Sequence, residues 1–389
     1  MELRLLAAIL LVSFTLHFPA NGGSMAVQGG TIDVEYTGTV SPALEKTATK
    51  WIKTSAHALA NYYGTFSVPR LTLRITLADG HDVSGGQSFG WQGALTTVSL
   101  GRDATNADLA DDWILTHEMM HLAFPNILDR YLWLEEGLAT YCEPIARCRV
   151  GIIPPERVWF DLVDRLPEGE PKSGDHGLDH THTWGRTYWG GALFCLRADV
   201  EIRRRTNNRF GLEHALRAIH AAGGTIVSTW TIDRVIATGD AATGVPVLRE
   251  LYDGMKDKPV TVDLPALWKQ LGVVRHGTTV TFDNSAPLAA VRRAITEREA
   301  PRRFGTENGS ASLQLPATAV PASCRRVLDE RVAQQRRRFR RTEASAPYPA
   351  RTHLRRGNRL EPFLASAPNQ NQVSDWQAAG SARWSTGRR

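Results

Sequence analysis

Cysteine is scarce in this chain. Four in 389 residues are too few for the disulfide-dense scaffolds that replace a core in small secreted domains. Long apolar runs are missing beyond the N-terminus. None approaches the ~18 residues that a spanning helix needs, which excludes a multi-pass membrane protein. There is no internal repeat, and the composition is neither that of collagen nor that of a coiled coil. Lysine is absent after Pro301, and acids are few there. Residues 301–389 hold 17 arginines and six acids, a net +11, so the rest of the chain carries −5 of the overall +6. The basic character belongs to the tail. The mildly acidic body gives no sign of a nucleic-acid partner.

What is present is ordinary for a globular protein. Hydrophobic residues make up 42% and charged residues 22%, which excludes a chain disordered throughout. The length corresponds to roughly two or three domains.

The two ends stand apart from the body. Residues 1–26 read as an export signal: Arg4, an apolar run from Leu5 to Phe14, and small residues for cleavage near Ala20 or Ser24–Ala26. A single-pass anchor is the other reading, disfavoured because the apolar run is short for a span and is broken by His17 and Pro19. Export to the periplasm or the outside would permit disulfides. Cys142 and Cys148 are close enough to pair if the chain turns between them; buried thiols are the alternative. From residue 299 onward the composition is rich in Arg, Ser, Ala and Pro, with no sustained apolar period. That predicts a disordered tail, either a solvated extension or, through its arginines, a contact for a polyanion or an anionic lipid surface.

Residues 27–298 then form the folded body. Its first part, 27–105, reads as mixed α and β. Strands are expected at 31–36, 71–77 and 94–100, a helix at 42–62, and a Gly-rich segment at 85–93. The second part, 106–298, reads as mainly helical. A helix over 106–124 is announced by Thr105 and Asp108 in capping-box spacing and ended by Pro125. Further helices fit 131–147, 155–166, 184–206 and 211–222. A strand at 278–282 and a short helix near 286–296 close the body.

Residues 117–121 read HEMMH. On a helix, His117 and His121 lie about one turn apart and present both imidazoles on one face, able to grip one Zn²⁺. Glu118 is offset and suits a general base acting on metal-bound water. The pattern arises by chance in roughly 2% of chains this long. Here it falls on a helix apolar over most of its circumference, where such groups are costly without a partner. Phe124 and Ile127 stand where a metzincin needs Gly and His, which excludes that class. A third ligand must come from elsewhere, and the segment WLEEGLATYCE (133–143) permits a helix that presents a carboxylate.

WLEEGLATY resembles the second zinc helix of the gluzincin peptidases, particularly the aminopeptidase-N-like and glycyl-aminopeptidase-like members. The resemblance implies an α+β fold: a zincin (thermolysin-like) catalytic domain with a small N-terminal mixed sheet and a mainly helical C-terminal part. It implies one Zn²⁺ per chain, held by His117, His121 and Glu136. Glu135 would point about 100° away on the helix. Glu143, seven residues on, would share the face of Glu136 and support the ligands from behind. Residues 185–206 resemble the helix bearing the family's Y-x-x-G signature, which makes Tyr188 the donor to an oxyanion, followed by Gly191. His176, His180 and His182 precede it as alternative donors or plain surface residues.

Two departures are visible. Fourteen residues separate His121 from Glu136, fewer than in aminopeptidase-N relatives. The family's G-x-M-E-N segment, whose Glu holds a substrate amino terminus, is missing. Its place falls to 85–93 and the strand 94–100, where an edge strand would pair with an extended peptide. The expectation is an exported zinc metallopeptidase acting on a peptide or protein, with Glu118 and Tyr188 catalytic. The alternative is a non-catalytic exported peptide- or cell-wall-binding protein on the same scaffold.

Overall fold

The computed structural model describes residues 22–297. Most of the segment read as an export signal, residues 1–21, and the arginine-rich stretch from residue 298 lie outside the described residues.

A five-stranded sheet opens the fold. Its strands are β1 (Ser24–Val27), β2 (Gly30–Thr37), β3 (Arg70–Ala78), β4 (Val83–Phe89) and β5 (Ala94–Gly101), in the order β1-β2-β3-β5-β4. β2, β3 and β5 run parallel; β1 and β4 are antiparallel edges. Alternation decides which face is covered: Ile32, Val34 and Tyr36 on β2 and Leu71, Leu73, Ile75 and Leu77 on β3 are all buried. Helix α1 (Pro42–Tyr63) joins the same core through Leu44, Ala48, Ile52 and Leu59. Its start is capped by Ser41, whose hydroxyl accepts from the Leu44 N–H at 3.2 Å, and it stops at Gly64 in the left-handed region, φ 92°.

β1 lies partly within the segment set aside as an export signal. Ser24–Val27 pairs with Gly30–Asp33, and Val34 N donates to Gly23 O at 2.9 Å. A cut within Ser24–Ala26 truncates this strand; a cut near Ala20 leaves it whole.

The long helix expected over 106–124 is two: α2 (Asn106–Asp111) and α3 (Ile114–Leu122). The capping box of Thr105 and Asp108 does open α2. The break comes at Asp112, whose ψ is 135°. Its carboxylate accepts from Ile114 N at 3.0 Å, Leu115 N at 3.2 Å and the Trp51 indole at 3.0 Å. A short acidic side chain thus competes with the helix for its own backbone and starts the next one.

Beyond lie α4 (Leu132–Arg149), α5 (Pro155–Arg165), a wide π-type turn (Arg186–Gly190) running into α6 (Gly191–Arg205), and α7 (Leu212–Ala221). Then come α8 (Ile232–Thr243), α9 (Val247–Met255), α10 (Leu264–Leu271), the hairpin β6 (Val273–His276) and β7 (Thr279–Phe282), and α11 (Ala289–Thr296). One contiguous buried core runs through the whole body, from Ile32 to Ile295. Among the described residues no helix is long and apolar enough to cross a membrane.

Cys142 and Cys148 do not pair. Both sit on α4, which is continuous between them, so six residues carry them about 9 Å apart along its axis. With Cys195 of α6 they remain buried thiols.

Candidate metal centre

α3 carries His117 and His121 one turn apart, their ring centroids 5.1 Å from each other. α4 brings Glu136 to the same place. His117 Nε2 stands 3.3 Å and His121 Nε2 3.5 Å from one oxygen, Glu136 Oε2. The three candidate ligand atoms all lie within 4.8 Å of one another. Around a tetrahedral ion with ligand bonds of about 2.05 Å, neighbouring ligand atoms are about 3.3 Å apart. Both distances agree with that edge. Two imidazole nitrogens and one carboxylate oxygen are also the borderline donor set that zinc takes. The residues present fit the ion.

The electrostatics show how strongly these groups demand a cation. Burial opposes charge on His121, but the Glu136 carboxylate outweighs it and pushes the imidazole up to about 9. Burial likewise works against the Glu136 anion, yet His121 and His117 hold it well below the usual carboxylate range. A divalent ion placed among these groups would meet the same electrostatic demand, since a metal ligates neutral imidazole and carboxylate.

Glu118 is buried, with 7% of its surface exposed. Burial raises its pKa, although the two histidines pull the other way. It lies against the edge strand β4. An added Cβ at Gly86 would come within 2.7 Å of Glu118 Oε1. The β4–β5 register shifts between Ser84 and Gly86, and Gly85 adopts φ 52°. Ser88, further along β4, donates its hydroxyl to the Glu118 main-chain carbonyl at 2.9 Å. The Gly-rich segment is therefore a strand, bulged where the candidate base sits.

The loop joining the two helices is tied at both sides. Glu135 Oε1 accepts from Ile127 N at 2.8 Å, which shows why this acid is not a ligand: it holds the loop rather than facing solvent. Asn126 N donates to Ser228 O, and Trp230 N to Asn126 O, both at 2.9 Å. The Asn126 amide also donates to Ile226 O. Ile226 N in turn donates to Leu122 O, so the 225–230 loop braces the end of α3 beside His121.

Tyr188 comes to the site on the π-type turn. Its ring lies 6.5 Å from that of His117, nearly parallel, with Trp184 stacked 5.9 Å away on it. Trp113 meets His117 edge-on at 5.5 Å. Glu143 is buried, and its carboxylate accepts from Arg147 Nη1 at 2.9 Å, close enough to His117 for their charges to interact. His176, His180 and His182 are exposed, and His180 pairs with Asp257 at 2.7 Å. The sequence pattern points to the three candidate ligands that the fold brings together, but not to Gly86, Ser88 and Asp112. The glycine cluster at 85–93 is the one visible signal for the first two.

Comparison of the sequence with protein-family models and with curated proteins finds no match. Comparison with solved structures does. An aminopeptidase N family protein from Idiomarina loihiensis matches with a TM-score of 0.51 at 15% identity, over 66% of this chain and 50% of that one. The fold is similar to that of M1 peptidase domains. A variant of an M1 zinc metallopeptidase from Deinococcus radiodurans gives a TM-score of 0.42 at 14% identity, over 63% of this chain and 53% of the other. The chain spans about half the length of the solved structures it matches. The likeness concerns the scaffold: a mixed sheet followed by helices, which is the α+β arrangement expected. It does not reach a thermolysin-like specificity.

Proposed function

We propose that this chain is a zinc-dependent metallopeptidase. The observation that carries the reading is the convergence of His117, His121 and Glu136 from two helices, with the buried carboxyl of Glu118 adjoining them. His117, His121 and Glu136 would hold the ion. Zinc so bound supplies a Lewis acid that polarises a carbonyl and makes a water acidic enough to lose a proton near neutral pH. Glu118 accepts that proton at its carboxylate as the water oxygen adds to the peptide carbonyl carbon, and returns it to the amine nitrogen as the C–N bond breaks. Its buried setting supports this duty, because a carboxylate whose pKa burial raises is a stronger base toward that proton. Tyr188 offers a neutral hydroxyl to the developing oxyanion, and its ring beside His117 supports that role. The edge strand β4 offers main-chain groups to an extended peptide or protein substrate.

The test is digestion of a peptide library by zinc-loaded protein. Hydrolysis abolished by chelator and restored by zinc is expected. Glu118→Gln should keep the metal and lose the hydrolysis; cleavage at the wild-type rate by that variant overturns the reading. Metal held with no hydrolysis by the wild type would mark a peptide-binding scaffold instead. We further propose export through the N-terminal segment, and contact of the arginine-rich tail with anionic surfaces. Deleting residues beyond 298 should abolish binding to anionic vesicles at low salt.

A further inference from the structure

The turn that carries Tyr188 is gripped between two backbones. On one side, α4 touches it without any intervening side chain. A Cβ on Gly137, the residue after Glu136, would lie 2.3 Å from Gly191 Cα; one on Gly191 would lie 1.9 Å from Trp133 O. On the other side, a Cβ on Gly169 would lie 2.3 Å from Trp189 C and 2.4 Å from Gly190 N. Real Cβ atoms do not come within 3.0 Å of such neighbours, and main chain cannot swing aside as a flexible side chain can. The same stretch is pinned by charge. Arg186 donates from Nη1 to Gly169 O at 2.5 Å and pairs through Nε with Asp175 Oδ2 at 2.7 Å, both side chains being almost fully buried. Tyr188 lies inside this bracket, on a π-type turn that an ordinary helix would close one residue sooner.

We propose that Gly169 and Gly191 are positioning residues for Tyr188, fixing the phenol at a set distance from the helix that bears Glu136. The inference rests on the reading of Tyr188 as the oxyanion donor. Gly191 presses on the metal-bearing helix, so its replacement would disturb both ends of the site. The atoms nearest a Cβ on Gly169 belong to the turn, so its replacement reaches the metal-bearing helix only through Trp189–Gly190. A methyl group there must displace Trp189–Gly190, and Tyr188 moves with them; bound zinc reports whether Glu136 stays in place.

The experiment compares zinc-loaded wild type, Gly169→Ala, Tyr188→Phe and the double variant by kcat, KM and zinc content. Gly169→Ala should lower kcat about tenfold or more, with KM and bound zinc little changed, because a donor displaced by ~1 Å loses most of its value. In the Tyr188→Phe background the same substitution should cost almost nothing further. Single effects that multiply in the double variant overturn the proposal, as does a wild-type kcat for Gly169→Ala. Tyr188→Phe with full activity overturns the reading beneath it, a separate and recognisable result. A second readout needs no activity. Nitration of Tyr188 by tetranitromethane, located by peptide mass spectrometry, should rise several-fold in Gly169→Ala while the deeply buried Tyr141 stays protected. Equal protection of Tyr188 in both proteins counts against the proposal. Should Gly169→Ala fail to fold, Arg186→Lys takes its place in the same cycle, with the same expected and overturning results.

Discussion

Gly86 and Glu118 touch: a methyl group on Gly86 would come within 2.6 Å of Glu118 Cγ. The strand and the candidate base are therefore fitted to each other, and Gly86 cannot grow without moving Glu118 or Ile114. Gly86→Ala should leave zinc content unchanged and lower kcat by roughly tenfold to a hundredfold, the range over which misplacing a proton-transfer group is felt. Elemental analysis beside steady-state kinetics checks this. Loss of the metal in that variant would show that β4 supports the ligands rather than the base.

Glu135 and Glu136 are neighbours with opposite fates. Glu136→Ala should weaken zinc binding by more than about a hundredfold, since even groups behind the ligands are worth about tenfold to a hundredfold. Glu135→Ala should keep the metal and cost about 1–2 kcal/mol in stability through the lost acceptor for Ile127 N. Competitive titration with a zinc chelator, together with urea unfolding, separates the two. Equal zinc affinity in both variants would remove Glu136 from the ligand set.

The acid limb of stability should be governed in part by Glu213. Burial alone would raise its pKa, but Arg149 and Arg203 outweigh burial and hold it at about 2. Arg203 Nη2 reaches both its oxygens, at 2.7 and 2.6 Å. A depressed folded-state pKa gives stability that is whole above the unfolded value of about 4.3 and is lost as pH falls toward 2. Urea midpoints should therefore drop across that window. Glu213→Gln should flatten this part of the slope while lowering stability at neutral pH. An unchanged slope in the variant would assign the acid limb to other groups.

Asp112 should matter more than a surface acid does. It caps α3 and accepts from the Trp51 indole across the fold. Asp112→Ala should destabilise by about 1–3 kcal/mol, from a lost cap and a buried indole left unsatisfied. Thermal unfolding monitored by circular dichroism measures it. A change below about 0.5 kcal/mol would mean that α3 starts without help.

Much of the site can be read from the chain because its logic is local. His117 and His121 are one turn apart whatever surrounds them, and the apolar residues between them mark the helix. Glu136 is harder. Nothing in composition distinguishes it from Glu135 or Glu143; what separates them is Ile127 N for one and Arg147 for the other, both settled by packing. Gly86 is harder still, since a glycine in a strand reads as weakness until the side chain 32 residues later is seen against it. The break at Asp112 escapes a periodicity argument because the apolar spacing continues through it. α8, α9 and α10 are only 12, 9 and 8 residues long, so tertiary packing rather than a long pattern defines them. β1 is short and borders an apolar stretch that already has another explanation.

The three thiols sealed in the helical body give the molecule a clock of its own. Burial pushes Cys142 up to about 12 and Cys195 well above the ordinary thiol range, so neither ionises while the body stays closed. Alkylating reagents meet them only after the chain opens, and the pace at which label arrives reports that opening. Oxidants face the same barrier: crosslinks through these sulfurs would record a past excursion from the native state, not a bond that built it.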